Sequence, residues 1–190
     1  MTYLYAITPK TSRFHFYTSL NIPFVQFRDK INGVPEILPV AEATSSKIII
    51  NDSLEDAQRL NAWGVHLGQK DLERYPKEVL SKRSIKLGIS THDFQEIDRA
   101  MEFNPDYIAF GPIYNTISKE MVQPPKGTKL LKEVVKAVPI PVIAIGGITR
   151  DNSRQVADTG VYGIASIGAV GNMEPEEIIE WMELLKENHL

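Results

Sequence analysis

Eight short apolar segments recur along the chain, and most of the intervals between them have helical spacing. The segments are residues 3–7, 24–27, 48–50, 65–67, 85–89, 107–110, 141–145 and 163–167. Short apolar runs that end in polar groups are typical of strands buried on both faces of a sheet. Eight alternating strand and helix units predict an α/β protein with the (β/α)8 fold, the TIM barrel.

The predicted barrel is compact, because 190 residues is close to the lower limit of this fold. The early helices are the ones expected to be short. A weak helical pattern covers residues 12–19, and the helix of the next unit is reduced to about residues 37–43, with Pro39 in its first turn. No linker-like stretch divides the chain, so we expect one domain over residues 1–190.

Composition narrows the classes of function. The absence of cysteine excludes thiolate catalysis and zinc–thiolate sites, and a net charge of −3 gives no general attraction to nucleic acid. No signal-like segment or apolar stretch of membrane-spanning length is present. We therefore expect a soluble cytoplasmic protein without nucleic-acid or membrane partners.

Two aspartates follow neighbouring strands of the predicted barrel. Asp52 comes directly after the third strand, and Asp71 follows the fourth. The carboxyl ends of parallel strands point the same way, so the two carboxylates are expected to meet at one rim and to suit Mg²⁺. The alternative is that each aspartate caps the helix that follows it.

Cationic and amide side chains follow the second strand. Gln26, Arg28 and Lys30 alternate along the chain and are expected on one side, with Phe27 packed on the other. Such a cluster beside two aspartates would suit a diphosphate bridged by a metal ion. The alternative is a surface ion pair with Asp29 or with nearby acidic residues.

Glycines end the seventh and eighth strands, at the usual phosphate-binding position of this fold. Gly147 and Gly168 are expected to leave backbone N–H groups open to an anion, and the alternative is a tight turn without a ligand. A long polar loop after the sixth strand carries Thr116, Ser118 and Lys119, and it is a candidate lid. We interpret His66 as a packed residue and propose no histidine metal site.

Seven motifs in chain order resemble the thiamine-phosphate synthase family: QFRDK, IIIND, GVHLGQKD, GIST, FGPIYNTISK, AIGGI and GIASIG. The resemblance implies that a pyrimidine diphosphate and a thiazole phosphate condense to thiamine phosphate and pyrophosphate, with Mg²⁺ as cofactor and a homodimer as a candidate assembly. It also implies site residues. The pyrimidine diphosphate would be held by Gln26, Arg28, Lys30, Asn51, Ser90 and Lys119, the metal by Asp52 and Asp71, and the thiazole phosphate by Thr116, Ser118, Gly147, Ile167 and Gly168.

Within this set, the resemblance implies that Arg28, Lys30, Ser90 and Lys119 are the catalytic residues. The chain departs from the family pattern at Asn115, Ser118 and Gly168, where proline, threonine and serine are usual, and in a shortened segment between Arg28 and Asn51. Two alternatives stay open. They are a thiazole tautomerase and a non-catalytic regulatory protein that binds phosphates of the thiamine pathway.

Overall fold

The computed structural model describes residues 1–35, 44–115 and 124–187. Eight parallel strands form a closed barrel in sequential order, and β8 pairs with β1 to close it. The predicted TIM barrel is therefore confirmed. The strands are β1 Tyr3–Thr8, β2 Phe24–Phe27, β3 Lys47–Asn51, β4 Gly64–Leu67, β5 Lys86–Thr91, β6 Tyr107–Phe110, β7 Val142–Ile145 and β8 Gly163–Ser166.

Helices lie between the strands and follow the last one. They are α1 Thr11–Ser19, α2 Leu54–Arg59, α3 Lys77–Ser81, α4 Phe94–Met101, α5 Gly127–Ala137, α6 Arg150–Ala157, α7 Gly168–Gly171 and α8 Pro175–Lys186, with a 3₁₀ turn at Asp71–Glu73. The early helices α1 to α3 are short, as expected. The helix predicted at residues 37–43 lies outside the described residues.

Two apolar layers form the core, because side chains alternate along each strand. Residues such as Phe27, Leu67 and Phe110 pack outward against the helices. The alternate residues fill the inside of the barrel, among them Tyr5 and Tyr107. Polar groups inside the barrel are consequently placed by strand register, and this register positions the candidate site.

The amino end of the barrel is held by an ionic cluster around Asp106. Its carboxylate accepts hydrogen bonds from Lys86 Nζ at 2.8 Å, Arg83 Nη2 at 2.9 Å and the Leu87 N–H at 2.9 Å. Burial alone would raise the pKa of Asp106, but these hydrogen bonds outweigh it and lower the pKa below its usual value.

The first prediction follows from this cluster. A folded-state pKa below the unfolded value of about 3.9 means that the charged form stabilises the fold above that pH, and that the contribution disappears as the pH falls through the folded-state pKa. We expect Asp106→Asn to lower the free energy of unfolding by about 1–2 kcal/mol at pH 7 and to have little effect near pH 3. Urea unfolding at both pH values measures this difference.

Asp98, an exposed acid on α4, supplies the matched control. Asp98→Asn should change the free energy of unfolding by less than about 0.5 kcal/mol at either pH. If Asp106→Asn lowers the free energy of unfolding equally at pH 7 and pH 3, its effect would come from altered packing or hydrogen bonding and not from the lost charge.

Within the described ranges, no helix is both long enough and apolar enough to cross a membrane.

Candidate active site at the carboxyl rim

A cavity of about 500 Å³ opens at the carboxyl end of the barrel. It brings together side chains that the sequence analysis selected from separate strands. The predicted residues that line it are Gln26, Arg28, Lys30, Asn51, Asp71, Ser90 and Ile167. Asp52, Gly147 and Gly168 lie at the same rim, next to this lining.

Asp52 and Asp71 interact across the rim. Burial raises the pKa of Asp52, and the charge of Asp71 together with a side-chain hydrogen bond to it raises this pKa further. Lys30 and Arg28 act in the opposite direction and lower it. The two carboxylates are thus close enough to repel each other, and two cationic side chains lie within electrostatic reach.

The capping alternative is wrong for Asp52. Ser53 is the N-cap of α2, and its hydroxyl accepts a hydrogen bond from the Asp56 N–H at 3.1 Å. Asp52 has a positive φ of 62°, in the left-handed region that aspartate tolerates better than most residues. One Asp71 oxygen accepts from the Gly68 N–H at 2.9 Å, which holds the loop after β4.

A chain of hydrogen bonds crosses the inside of the barrel below this rim. Tyr5 donates to Gln26 Oε1 at 2.7 Å, and Gln26 Nε2 donates to Asn51 Oδ1 at 2.6 Å. The Tyr5 hydroxyl lies 3.1 Å from that of Tyr107, which lies 3.1 Å from His66 Nδ1. The chain links Asn51 to His66 and, from there, to Ser90.

The number of hydrogens on each group determines which atom donates in each of these hydrogen bonds. Because Tyr5 donates its one hydrogen to Gln26, Tyr107 donates to Tyr5 and accepts from His66 Nδ1–H. His66 Nε2 then accepts from the hydroxyl of Ser90 at 2.8 Å. Ser90 therefore turns its hydrogen toward His66 and presents lone pairs to the rest of the site.

His66 is neutral at physiological pH. Burial lowers its pKa to about 4, the charge of Arg28 acts in the same direction, and Asp71 opposes them. The packed position expected for His66 agrees with its burial inside the barrel. A neutral ring carries one N–H, as the direction of the chain requires.

Gly88 provides the space for the Tyr107 ring. A β-carbon at this position of β5 would lie 2.1 Å from Tyr107 Cζ and 2.3 Å from its hydroxyl oxygen. Both residues face the inside of the barrel and are paired in register. The glycine is therefore required by packing and not by backbone conformation.

The two predicted phosphate glycines have different surroundings. Gly147 has a φ of +67°, and a β-carbon there would lie 2.4 Å from the Asn115 carbonyl oxygen. Both its backbone conformation and the close approach of the loop after β6 therefore favour glycine, and the role of its N–H toward an anion stays a prediction. A β-carbon at Gly168 would meet nothing within 4 Å, which leaves open space beside Ile167.

Other predicted residues lie outside the described part of the chain. They are Thr116, Ser118 and Lys119, and the structure adds nothing to their expected roles.

Ion pairing with Asp29 was the alternative to anion binding for Arg28 and Lys30, which follow the second strand. Asp29 accepts hydrogen bonds from the Ile31 and Asn32 N–H groups, at 2.9 and 3.0 Å, and so holds a turn.

Sequence reasoning missed several residues of the site. Tyr5 and Tyr107 were counted only as members of apolar strands, although a tyrosine hydroxyl inside a barrel needs a polar partner. Gln69 received no role of its own, yet it lines the cavity and donates from Nε2 to the Ser90 carbonyl oxygen at 2.8 Å. Polar residues at inward-facing positions were the available signal.

A smaller cavity of about 200 Å³ lies at the opposite, amino end of the barrel. Its lining is mainly aromatic, with Phe24, Trp63 and Tyr162, and it contains none of the predicted site residues. Chemistry in this fold takes place at the carboxyl end of the strands. We therefore assign the active site to the larger cavity.

In the part of the chain that the structure describes, no group of three or more His, Cys, Asp or Glu side chains is arranged to hold a metal ion. Asp52 and Asp71 form a pair without a third such partner. A pair is nevertheless enough for Mg²⁺, which commonly binds one or two carboxylates and completes its shell with water and substrate phosphates.

Comparisons with known proteins identify the family of this chain. A family model described as thiamine monophosphate synthase matches residues 18–170. Thiamine-phosphate synthase of Neisseria meningitidis serogroup A is 34% identical over 190 residues, which cover 95% of this chain and 93% of that protein. The serogroup B protein of the same name is 38% identical over 146 residues, or 76% of this chain and 71% of that one.

A solved structure supports the same similarity. Thiamine phosphate pyrophosphorylase from Pyrococcus furiosus superposes with a TM-score of 0.76 at 27% sequence identity. The superposition covers 96% of each chain. The similarity in sequence and in structure therefore extends over nearly the whole barrel.

Proposed function

The chain belongs to the thiamine monophosphate synthase family, and on this basis we propose which residues of the barrel rim carry out the family's reaction. The protein is a transferase of thiamine biosynthesis. It condenses 4-amino-2-methyl-5-(diphosphomethyl)pyrimidine with thiazole phosphate, and the products are thiamine phosphate and pyrophosphate. One observation supports the placement of the site: Arg28, Lys30 and Asp71 line one cavity at the carboxyl rim, and Asp52 interacts with Asp71 beside it.

The reaction is a substitution at the methylene carbon of the pyrimidine. The bond from this carbon to the diphosphate oxygen breaks, and the thiazole nitrogen forms the new bond with its lone pair. Electron donation from the ring amino group assists departure of pyrophosphate, so no protein nucleophile is needed. The protein has to stabilise the leaving anion and to hold the two rings in line.

Cationic side chains would stabilise the leaving pyrophosphate. Arg28 and Lys30 line the cavity, and both act electrostatically on Asp52, so their positive charge is directed to this side of the rim. A guanidinium offers a planar pair of donors to phosphate oxygens, and an ammonium acts as a compact charge. Lys119 is proposed as a third cation on the basis of the family resemblance.

Asp52 and Asp71 fit a Mg²⁺ ion. Burial and, after it, the charge of Asp71 raise the pKa of Asp52, and a cation between the two carboxylates would relieve their repulsion. Carboxylate oxygens are the ligands that Mg²⁺ prefers. When bound, Mg²⁺ would neutralise negative charge that develops on the leaving group. The family's usual dependence on this ion supports the proposal.

Pyrimidine binding would use the amides beside the hydrogen-bonded chain. Gln26 and Asn51 are held by the Tyr5 hydroxyl and by each other, so their remaining N–H groups have fixed directions. Preorganised groups of this kind need little reordering when the substrate binds. Ser90, held by His66, completes the proposed pyrimidine pocket.

Thiazole phosphate would bind at the loops after β7 and β8, the usual phosphate position of the fold. Gly147, Ile167 and Gly168 are proposed for this role, with Thr116 and Ser118 from the family resemblance. The open space at Gly168 suggests a gain-of-function test, because relatives usually carry a serine hydroxyl here.

We expect Gly168→Ser to lower the KM for thiazole phosphate several-fold, since one added hydrogen bond to a charged group contributes about 1.5 kcal/mol. The KM for the pyrimidine diphosphate should stay unchanged. Steady-state kinetics with each substrate varied in turn measures both values. Gly171→Ser, at the far end of the same helical turn and also open, is the matched control. A lowered KM for both substrates, or in both variants, would contradict the assignment of Gly168.

The decisive test of the function is incubation of the protein with both substrates and Mg²⁺, with release of pyrophosphate as the readout. Turnover should require both substrates and should fall on chelation of the metal. Tight binding of both substrates without pyrophosphate would favour the binding-only regulatory alternative. A homodimer and a cytoplasmic location stay predictions, and sedimentation analysis tests the first of them.

A further inference from the structure

The side-chain oxygen of Gln69, Oε1, is buried, and the proposed reaction gives it no role. The Gln69 side chain lines the active-site cavity just after β4. Nε2 donates to the Ser90 carbonyl oxygen at 2.8 Å, and this contact fixes which way the amide points. Oε1 is then buried and has no hydrogen-bond partner within the described part of the chain.

An acceptor in this state is costly to the folded protein. Burial of an unsatisfied hydrogen-bonding group costs about 1–3 kcal/mol, so nearly all such groups in folded proteins have partners. The cost is removed when a ligand in the cavity supplies an N–H or O–H. The orientation of Gln69 therefore indicates a donor on a bound molecule.

Ser90 adds a second acceptor to the same side of the cavity. Its hydroxyl hydrogen is directed to His66, so the oxygen offers lone pairs. Arg28 and Lys30, which follow β2, supply cationic donors to the same cavity. Gln69 Oε1 and Ser90 Oγ are therefore two acceptors in a cavity whose cationic side chains suit the phosphate groups.

Only one group in the two substrates matches these two acceptors. Diphosphate, phosphate and the thiazole nitrogen all accept hydrogen bonds, whereas the exocyclic amino group of the pyrimidine donates them. We infer that Gln69 Oε1, with Ser90 Oγ beside it, accepts hydrogen bonds from this amino group and so orients the pyrimidine ring. The inference rests on the proposed function.

The contact also has a chemical consequence. Hydrogen bonds accepted from an amino group leave more electron density on its nitrogen. This density is donated through the ring to the methylene carbon as pyrophosphate departs. Gln69 would thus fix the direction of the ring and favour departure of the leaving group.

A binding cycle without turnover tests the inference. The pyrimidine diphosphate and an analogue without the amino group are titrated separately into wild-type protein and into Gln69→Met, in the absence of thiazole phosphate. Wild type should bind the amino compound about tenfold more tightly, as expected for one hydrogen bond to a buried acceptor. In Gln69→Met this preference should disappear, with the affinity for the analogue unchanged.

Lys70→Met is the matched control, because Lys70 is the next residue and also lines the cavity. It should keep the tenfold preference for the amino compound. Persistence of the preference in Gln69→Met, or an equal loss of affinity for both compounds, would overturn the inference. If Gln69→Met loses affinity for Mg²⁺ but keeps the preference for the amino compound, Gln69 Oε1 would be a metal ligand. That outcome would also overturn the inference.

Failure of the inference and failure of the function can be distinguished. Wild-type protein that releases pyrophosphate but shows no preference for the amino compound would remove only the role of Gln69. Wild-type protein that releases no pyrophosphate would remove the proposed function on which the inference depends.

Discussion

Asp71→Ala is expected to lower kcat/KM by about 100- to 1000-fold, which corresponds to about 2.7–4 kcal/mol of transition-state stabilisation. The reason is the loss of one of two carboxylates that would hold Mg²⁺ beside the leaving pyrophosphate. Raising the concentration of Mg²⁺ should recover only part of the activity. Steady-state kinetics over a range of Mg²⁺ concentrations, together with direct titration of Mn²⁺ as a spectroscopic probe, measures the effect.

Two further variants separate the metal role from the structural role of Asp71. Asp71→Asn keeps an acceptor for the Gly68 N–H while it removes the charge, so it should lose metal affinity and keep the thermal stability of wild type. Glu73→Ala changes an exposed acid of the same 3₁₀ turn and should leave kcat/KM unchanged. Full activity of Asp71→Ala at limiting Mg²⁺ would exclude Asp71 from the site.

Gly88→Ala is expected to have the largest effect on the fold. The added β-carbon would overlap the Tyr107 ring at 2.1 Å, so the ring or its strand must shift. Overpacking of a core costs about 1–3 kcal/mol, and we expect the upper end of this range because both residues face the closed inside of the barrel. Urea unfolding measures the loss of stability.

The same variant should impair catalysis, because Tyr107 holds His66 and, through it, Ser90. A double-mutant cycle with Tyr107→Leu tests the cause, since the smaller side chain leaves room for the new methyl group. Gly88→Ala should lower the free energy of unfolding much less in the Tyr107→Leu background than in wild type. Gly171→Ala, where a β-carbon meets nothing within 4 Å, should change stability by less than about 1 kcal/mol. Equal costs of Gly88→Ala in both backgrounds would show that Tyr107 is not the obstacle.

The barrel could be predicted from the sequence because each strand produces a local pattern of apolar residues. Apolar runs such as Ile48–Ile50 are bounded by polar residues, and the order of strands in a barrel needs no long-range information. The approach of Asp52 to Asp71 was predictable for the same reason, since adjacent parallel strands bring their ends together.

Features that depend on register were not predictable in this way. The hydrogen-bonded chain through Tyr5 and Tyr107 requires side chains from distant strands to point into one space at one height, and no local pattern encodes this. The close approach of Asn115 to Gly147 likewise depends on how two loops pack. The orientation of the Gln69 amide follows from a single contact with the Ser90 carbonyl group, which only the folded chain creates.

The pairing of Gly88 with Tyr107 also restricts the order in which this chain can evolve. A larger residue at 88 is tolerated only after the ring at 107 has been replaced by something smaller, so one mutational order passes through a stable intermediate and the other does not. Loss of the ring in turn removes the hydroxyl that orients His66. Natural variation at these positions should therefore be correlated. Lineages with a larger residue at 88 should also have a smaller residue at 107, and they should orient the serine at position 90 through a different contact.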